Sequence, residues 1–88
     1  MSTRPGGRTA AEEDGMDFLL TFGDRLKGLR LSKNMSKAEL EKCCDLSRGS
    51  VYMYEKGSRY PDGYSVAKIC RGLNVSADWL LGLKEDQK

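Results

Sequence analysis

Three times between residues 35 and 80 the chain repeats one short pattern: an apolar residue, then serine, then a second apolar residue five positions after the first. Met35-Ser36 leads to Leu40, Leu46-Ser47 to Val51, and Val75-Ser76 to Leu80. A serine at a helix N-cap accepts a hydrogen bond from a free backbone N–H of the first turn. The flanking apolar pair packs over that turn and fixes the angle at which the chain enters the helix. Glu39 stands three residues after Ser36 and supplies the reciprocal half of a capping box. Together the three matches, at helix-sized intervals, predict three helix starts.

Apolar periodicity adds two more helices. Phe22, Leu26 and Leu29 recur at spacings of four and three and give one apolar face. This first helix should run to about Lys33, with Asn34 as a left-handed cap. Val66, Ile69, Cys70 and Leu73 mark a fourth helix, preceded by Pro61 and Asp62 and closed by Asn74. Gly57 fits the end of the third. Tyr52, Tyr54 and Val51 have β propensity, but their run is too short and lies inside capped helical framing. The 88 residues are enough for one domain, and the reading is a compact all-α bundle of five helices. Residues 1–15 are polar and glycine-rich, with too little apolar surface to offset ordering. They are expected to be a disordered tail, with order beginning near Met16–Thr21, a domain over 16–84 and a frayed end at 85–88.

Composition excludes more than it selects. Net charge is only +2, but residues 22–82 carry 11 basic and 7 acidic side chains, so the basic excess lies in the predicted domain. Cys43, Cys44 and Cys70 form no CxxC and there is no histidine, so metal sites lack both spacing and ligands. The cysteines read as small helix residues in a reducing compartment. Phe18-Leu19-Leu20 is far too short to span a membrane. With no secretory leader visible, the expected location is the cytoplasm. No nucleophile–base pairing, phosphate loop or metal motif suggests an enzyme. No cofactor and no small-molecule substrate are expected.

The second helix, Lys37 to Cys44, and the third, Arg48 to Lys56, are joined by Asp45-Leu46-Ser47 alone. So short a link forces a steep crossing, the helix-turn-helix arrangement. Val51 and Tyr54 should then face the core, leaving Arg48, Tyr52, Met53 and Lys56 outward or flanking. Arg48 sits at the end of the helix that reads base edges in this motif. A guanidinium can bond guanine O6 and N7 together. Tyr52 and Met53 suit thymine methyls or sugars. Ser47 and Ser50 offer hydroxyls to phosphate near a helix N-terminus.

The segments FGDRLKGLR, MSKAELEKCCDLSRGSVYMYEKG and VAKICRGLNVSADWLLG resemble the Cro/phage-repressor (Xre-like) helix-turn-helix family over residues 22–82. The resemblance implies a lambda-repressor-like domain and a sequence-specific regulator of transcription, with repression the expected outcome. Its partner would be double-stranded DNA with a palindromic operator, bound by a homodimer. Arg48, Gly49, Tyr52 and Met53 match base-contacting positions of the recognition helix. Lys37, Ser47, Ser50, Arg59 and Tyr60 match backbone-contacting positions, which Lys56 joins on its outward placement. Arg30 and Glu55 match a salt bridge between the first and third helices. Leu83, Trp79 and Phe18–Leu20 are the expected dimer contacts. Asp45 stands where the family often has glycine, a mild change. Glu41 stands where it usually has a small alanine, and is expected to tilt outward or widen the helix pair. The alternative is a protein-interaction module on the same fold, binding another regulator or a toxin through Phe18-Leu19-Leu20, Tyr52 and Met53.

Overall fold

The computed structural model describes residues 10–87, with side chains from Gly15 onward. Among the described residues five helices occur in order: α1 (Ala10–Ser32), α2 (Lys37–Cys44), α3 (Ser50–Lys56), α4 (Gly63–Leu73) and α5 (Ala77–Leu80). Among the described residues there is no strand and no helix long and apolar enough to cross a membrane.

The local signals act mostly where the sequence places them. Ser36 accepts from the Glu39 N–H at 3.0 Å, while Glu39 Oε1 accepts from the Ser36 N–H at 2.7 Å. Ser76 Oγ accepts from the Trp79 N–H, and Asp62 Oδ1 from the Ser65 N–H at 2.6 Å. These bonds satisfy donors that a helix start otherwise leaves open. The Asp62 carboxyl is held below its ordinary pKa, chiefly by the Ser65 backbone bond. Asn34, Asn74 and Gly57 end their helices with positive φ.

Two boundaries differ from the sequence reading. Helix α1 begins at Ala10, inside the stretch expected to be a tail. Residues 1–9, the rest of that stretch, lie outside the described residues. At the other end, where fraying is expected over 85–88, residues 84–87 fold back on the bundle, and Lys88 lies outside the described residues. Arg25 on α1 bonds the carbonyls of Trp79 and Lys84, and its guanidinium meets the Glu85 carboxylate at 3.2 Å. The Ser76 N–H donates to the Gln87 carbonyl at 2.8 Å.

Helix α1 packs on α3 and α5, while α2 packs on α3 and α4. Phe22, Leu26 and Leu29 from α1 meet Leu40 and Cys44 from α2, Val51 and Tyr54 from α3, Val66, Ile69 and Leu73 from α4, and Trp79 and Leu80 from α5. Full burial of one such aliphatic side chain contributes about 1.5–3 kcal/mol. Met35, Leu46 and Val75 pack at the edge of this core, where their staples require them. Trp79, expected at a dimer contact, is a core residue, and the Arg25 guanidinium lies 5.1 Å from its ring centroid. Phe18 is absorbed similarly, stacked between Phe22 and Tyr60. Helix α3 approaches α1 closely at Gly23. A Cβ added there would stand 2.5 Å from the Tyr54 carbonyl oxygen, so only glycine permits this spacing.

Candidate nucleic-acid interface

The turn between α2 and α3 is built from backbone up. Asp45 takes the left-handed conformation at φ 56°. The next N–H, from Leu46, donates back to the Glu41 carbonyl at 2.8 Å. This return bond closes the helix and drops Leu46 onto the core. Ser47 is exposed, and its carbonyl, not its side chain, organises the start of the next helix. It accepts from the Ser50 N–H at 3.1 Å and from Ser50 Oγ at 2.6 Å. Helix α3 therefore starts at Ser50, two residues later than the sequence suggests.

The cap of α3 comes from a residue that the motif does not ordinarily offer. Glu41 points inward and is 8 % exposed. Its Oε2 accepts from the Gly49 N–H at 2.9 Å and from the Val51 N–H at 3.1 Å. The carboxylate both satisfies two open donors and places negative charge at the positive end of α3. Glu41 does not tilt outward. It fills the seat that a capping serine would otherwise take. Ser47 accordingly makes no side-chain cap, and Ser50, expected to contact phosphate, is 2 % exposed with its hydroxyl bonded to the Ser47 carbonyl and cannot reach one.

At the other end of α3, Glu55 is held by Arg30 of α1. Arg30 Nε meets Glu55 Oε2 at 2.7 Å and its Nη2 meets Oε1 at 3.0 Å. The third donor, Nη1, bonds the Met35 carbonyl at 2.9 Å. Both side chains are over nine-tenths buried. The hydrogen bond to Glu55 raises the Arg30 pKa further, so the guanidinium stays charged. Helix α3 is thus fixed at both ends, by α2 at its start and by α1 at its finish.

What remains outward is a single face. Val51 and Tyr54 are buried, Met53 is half-buried, and Tyr52 is 51 % exposed. Arg48 and Gly49 are exposed in the turn that opens the helix. Gly49 has φ 86° and open space where a Cβ would be. Lys56 Nζ stands 5.5 Å from the Tyr52 ring centroid. Lys37 at the start of α2 and Lys27 on α1 line one shallow groove with Tyr52, Glu55 and Lys56. The sequence reading names Lys37 and Lys56 but not Lys27. Only the packing of α1 beside α3 brings it here. Arg59 and Tyr60 lie exposed in the loop after α3. The Tyr60 ring stacks on Phe18 at 6.0 Å, and its hydroxyl lies against Gly15.

The cysteines stand apart from this face. Cys43 is exposed, Cys44 buried and Cys70 half-buried, all as free thiols. Burial pushes the Cys44 thiol up to about 11, so it stays protonated and unreactive at neutral pH. Among the described residues no group of His, Cys, Asp or Glu could hold a metal ion.

Two short helices joined by a tight turn, with the second fixed at both ends and solvated on one side, define a helix-turn-helix protein. The helix-turn-helix family model matches residues 26–80. This chain belongs to that family of DNA-binding regulators, in its Cro/phage-repressor (Xre-like) branch. It is 38 % identical over 63 residues to the control protein C.BamHI of Bacillus amyloliquefaciens, across 70 % of this chain and 78 % of that protein. It is 37 % identical over 60 residues to the SPbeta prophage-derived HTH-type transcriptional regulator YonR of Bacillus subtilis (strain 168). That match spans 68 % of this chain and 56 % of YonR. The crystal structure of the restriction-modification controller protein C.AhdI from Aeromonas hydrophila superposes with a TM-score of 0.66 at 31 % identity. It covers 70 % of this chain and 94 % of C.AhdI.

Proposed function

We propose that this chain is a sequence-specific regulator of transcription that binds double-stranded DNA with the outer face of α3 in the major groove. The observation that carries this reading is the exposed set Arg48, Gly49 and Tyr52, opposite the buried Val51 and Tyr54 and flanked by Lys37 and Lys56. A B-form major groove, about 12 Å wide, admits one helix. Arg48 is the base-reading group, with Gly49 allowing close backbone approach, and Tyr52 and Met53 supply apolar contact. Lys37, Lys56, Ser47, Arg59 and Tyr60 hold the phosphate backbone and set the register.

The working unit is a homodimer on a palindromic operator, with half-sites about one helical turn apart. Leu20 and Leu83, both more than half exposed, are its apolar contact. The α5 exit runs along α1, where a Cβ on Gly82 would stand 3.2 Å from Thr21. The regulatory outcome is repression, and the compartment is the cytoplasm.

Selection of bound fragments from a random duplex library tests this reading. It should return an inverted repeat whose affinity falls steeply with salt. Recovery of no salt-sensitive duplex would overturn it.

A further inference from the structure

We propose that Lys27, Lys37 and Lys56 form one clamp for the DNA phosphodiester backbone, and that Lys27 is a phosphate contact in its own right. This rests on the DNA-binding reading above and adds a site to it. The three lysines come from three different helices and stand 10 and 19 positions apart in sequence, yet they line the same shallow groove. Among its described lining residues the one acidic group is Glu55, and both of its oxygens are committed to Arg30. The ammonium charges are therefore left uncompensated by the groove itself. Like charges gathered around one depression repel one another and suit an anionic ligand.

Its chemistry favours a diester phosphate. Ammonium groups on flexible stems bind phosphate as point charges and need no planar partner. The groove opens beside Tyr52, over whose ring Lys56 stands, so an anion held there lies against the outward face of α3. At the start of α3 the Gly49 and Val51 N–H donors are already taken by the Glu41 carboxylate. An anion held in the groove anchors α3 from its C-terminal end.

The test compares Lys27→Gln with the wild-type protein and with Lys42→Gln, an exposed α2 lysine outside the groove. Affinity for a duplex recovered from the random library, and for a scrambled duplex, is measured across a salt series. Lys27 is exposed, and thermal unfolding checks that the variant remains folded. Lys27→Gln should lower the magnitude of the log–log salt slope by about 0.9, the value of one phosphate contact. It should weaken both duplexes by the same factor and leave their ratio unchanged. Lys42→Gln should keep the wild-type slope. A wild-type slope for Lys27→Gln, or an equal loss for Lys42→Gln, overturns the clamp while the DNA-binding reading stands. Wild-type protein that binds neither duplex in a salt-sensitive way overturns both.

Discussion

The Glu41 carboxylate and the Gly49 backbone N–H lie 2.9 Å apart, and a second bond at 3.1 Å ties the same oxygen to Val51. A side chain of α2 thereby sets where α3 begins and how the Arg48–Gly49 turn is held. Replacing Glu41 with the alanine common in the family should damage this chain. Glu41→Ala would strand two backbone donors and destabilise the fold by about 2–3 kcal/mol in urea denaturation. Glu41→Gln keeps an acceptor oxygen and should lose about 1 kcal/mol or less. Equal stability of Glu41→Ala and wild type would show that the cap is dispensable.

The Arg30–Glu55 pair anchors the opposite end of α3 in a nearly dry setting. Removing one partner leaves the other charge buried and uncompensated. Glu55→Ala should therefore destabilise by about 3–5 kcal/mol. Arg30→Lys should also be costly, because an ammonium cannot reproduce the two-pronged contact and the Met35 bond together. The midpoints of chemical denaturation give both values.

Two glycines should respond to alanine for different reasons. At Gly49 the added methyl meets open space, and only the positive φ is strained, a loss of about 1–2 kcal/mol. At Gly23 the backbone is an ordinary helix, but the methyl would stand 2.5 Å from the Tyr54 carbonyl and 3.1 Å from that of Glu55. Backbone atoms cannot swing aside as a flexible side chain would. Gly23→Ala should push α3 away from α1, lower the thermal midpoint more than Gly49→Ala, and weaken DNA binding with it. A Gly23→Ala protein as stable as Gly49→Ala would contradict the close approach.

Much of the fold is legible in the sequence because its signals are local. The caps at Ser36 and Ser76 and the turns at Asn34, Gly57 and Asn74 each depend on residues within a few positions. The reading fails at Ser47 because a residue from the previous helix takes over its task. No local pattern announces that Glu41 reaches the α3 start. The N-terminal extension of α1 is illegible because Ala10–Gly15 carries no apolar periodicity, although it contains good helix formers. Lys27 escapes the sequence for a tertiary reason. On α1 alone it is one exposed charge among several, and only the docking of α3 sets it beside Lys37 and Lys56. The return of the C-terminal segment to Arg25 likewise joins residues about sixty positions apart.

Arg48, in the turn that opens α3, is expected to lead the outer face of that helix into the major groove. Parallel selections from a random duplex library, with wild type and with Arg48→Ala, address it most directly. The wild type should enrich an inverted repeat with one strongly preferred base pair per half-site that Arg48→Ala no longer distinguishes, at a loss of about 1–3 kcal/mol in affinity. Base preferences that are identical at every position for the two proteins would contradict it.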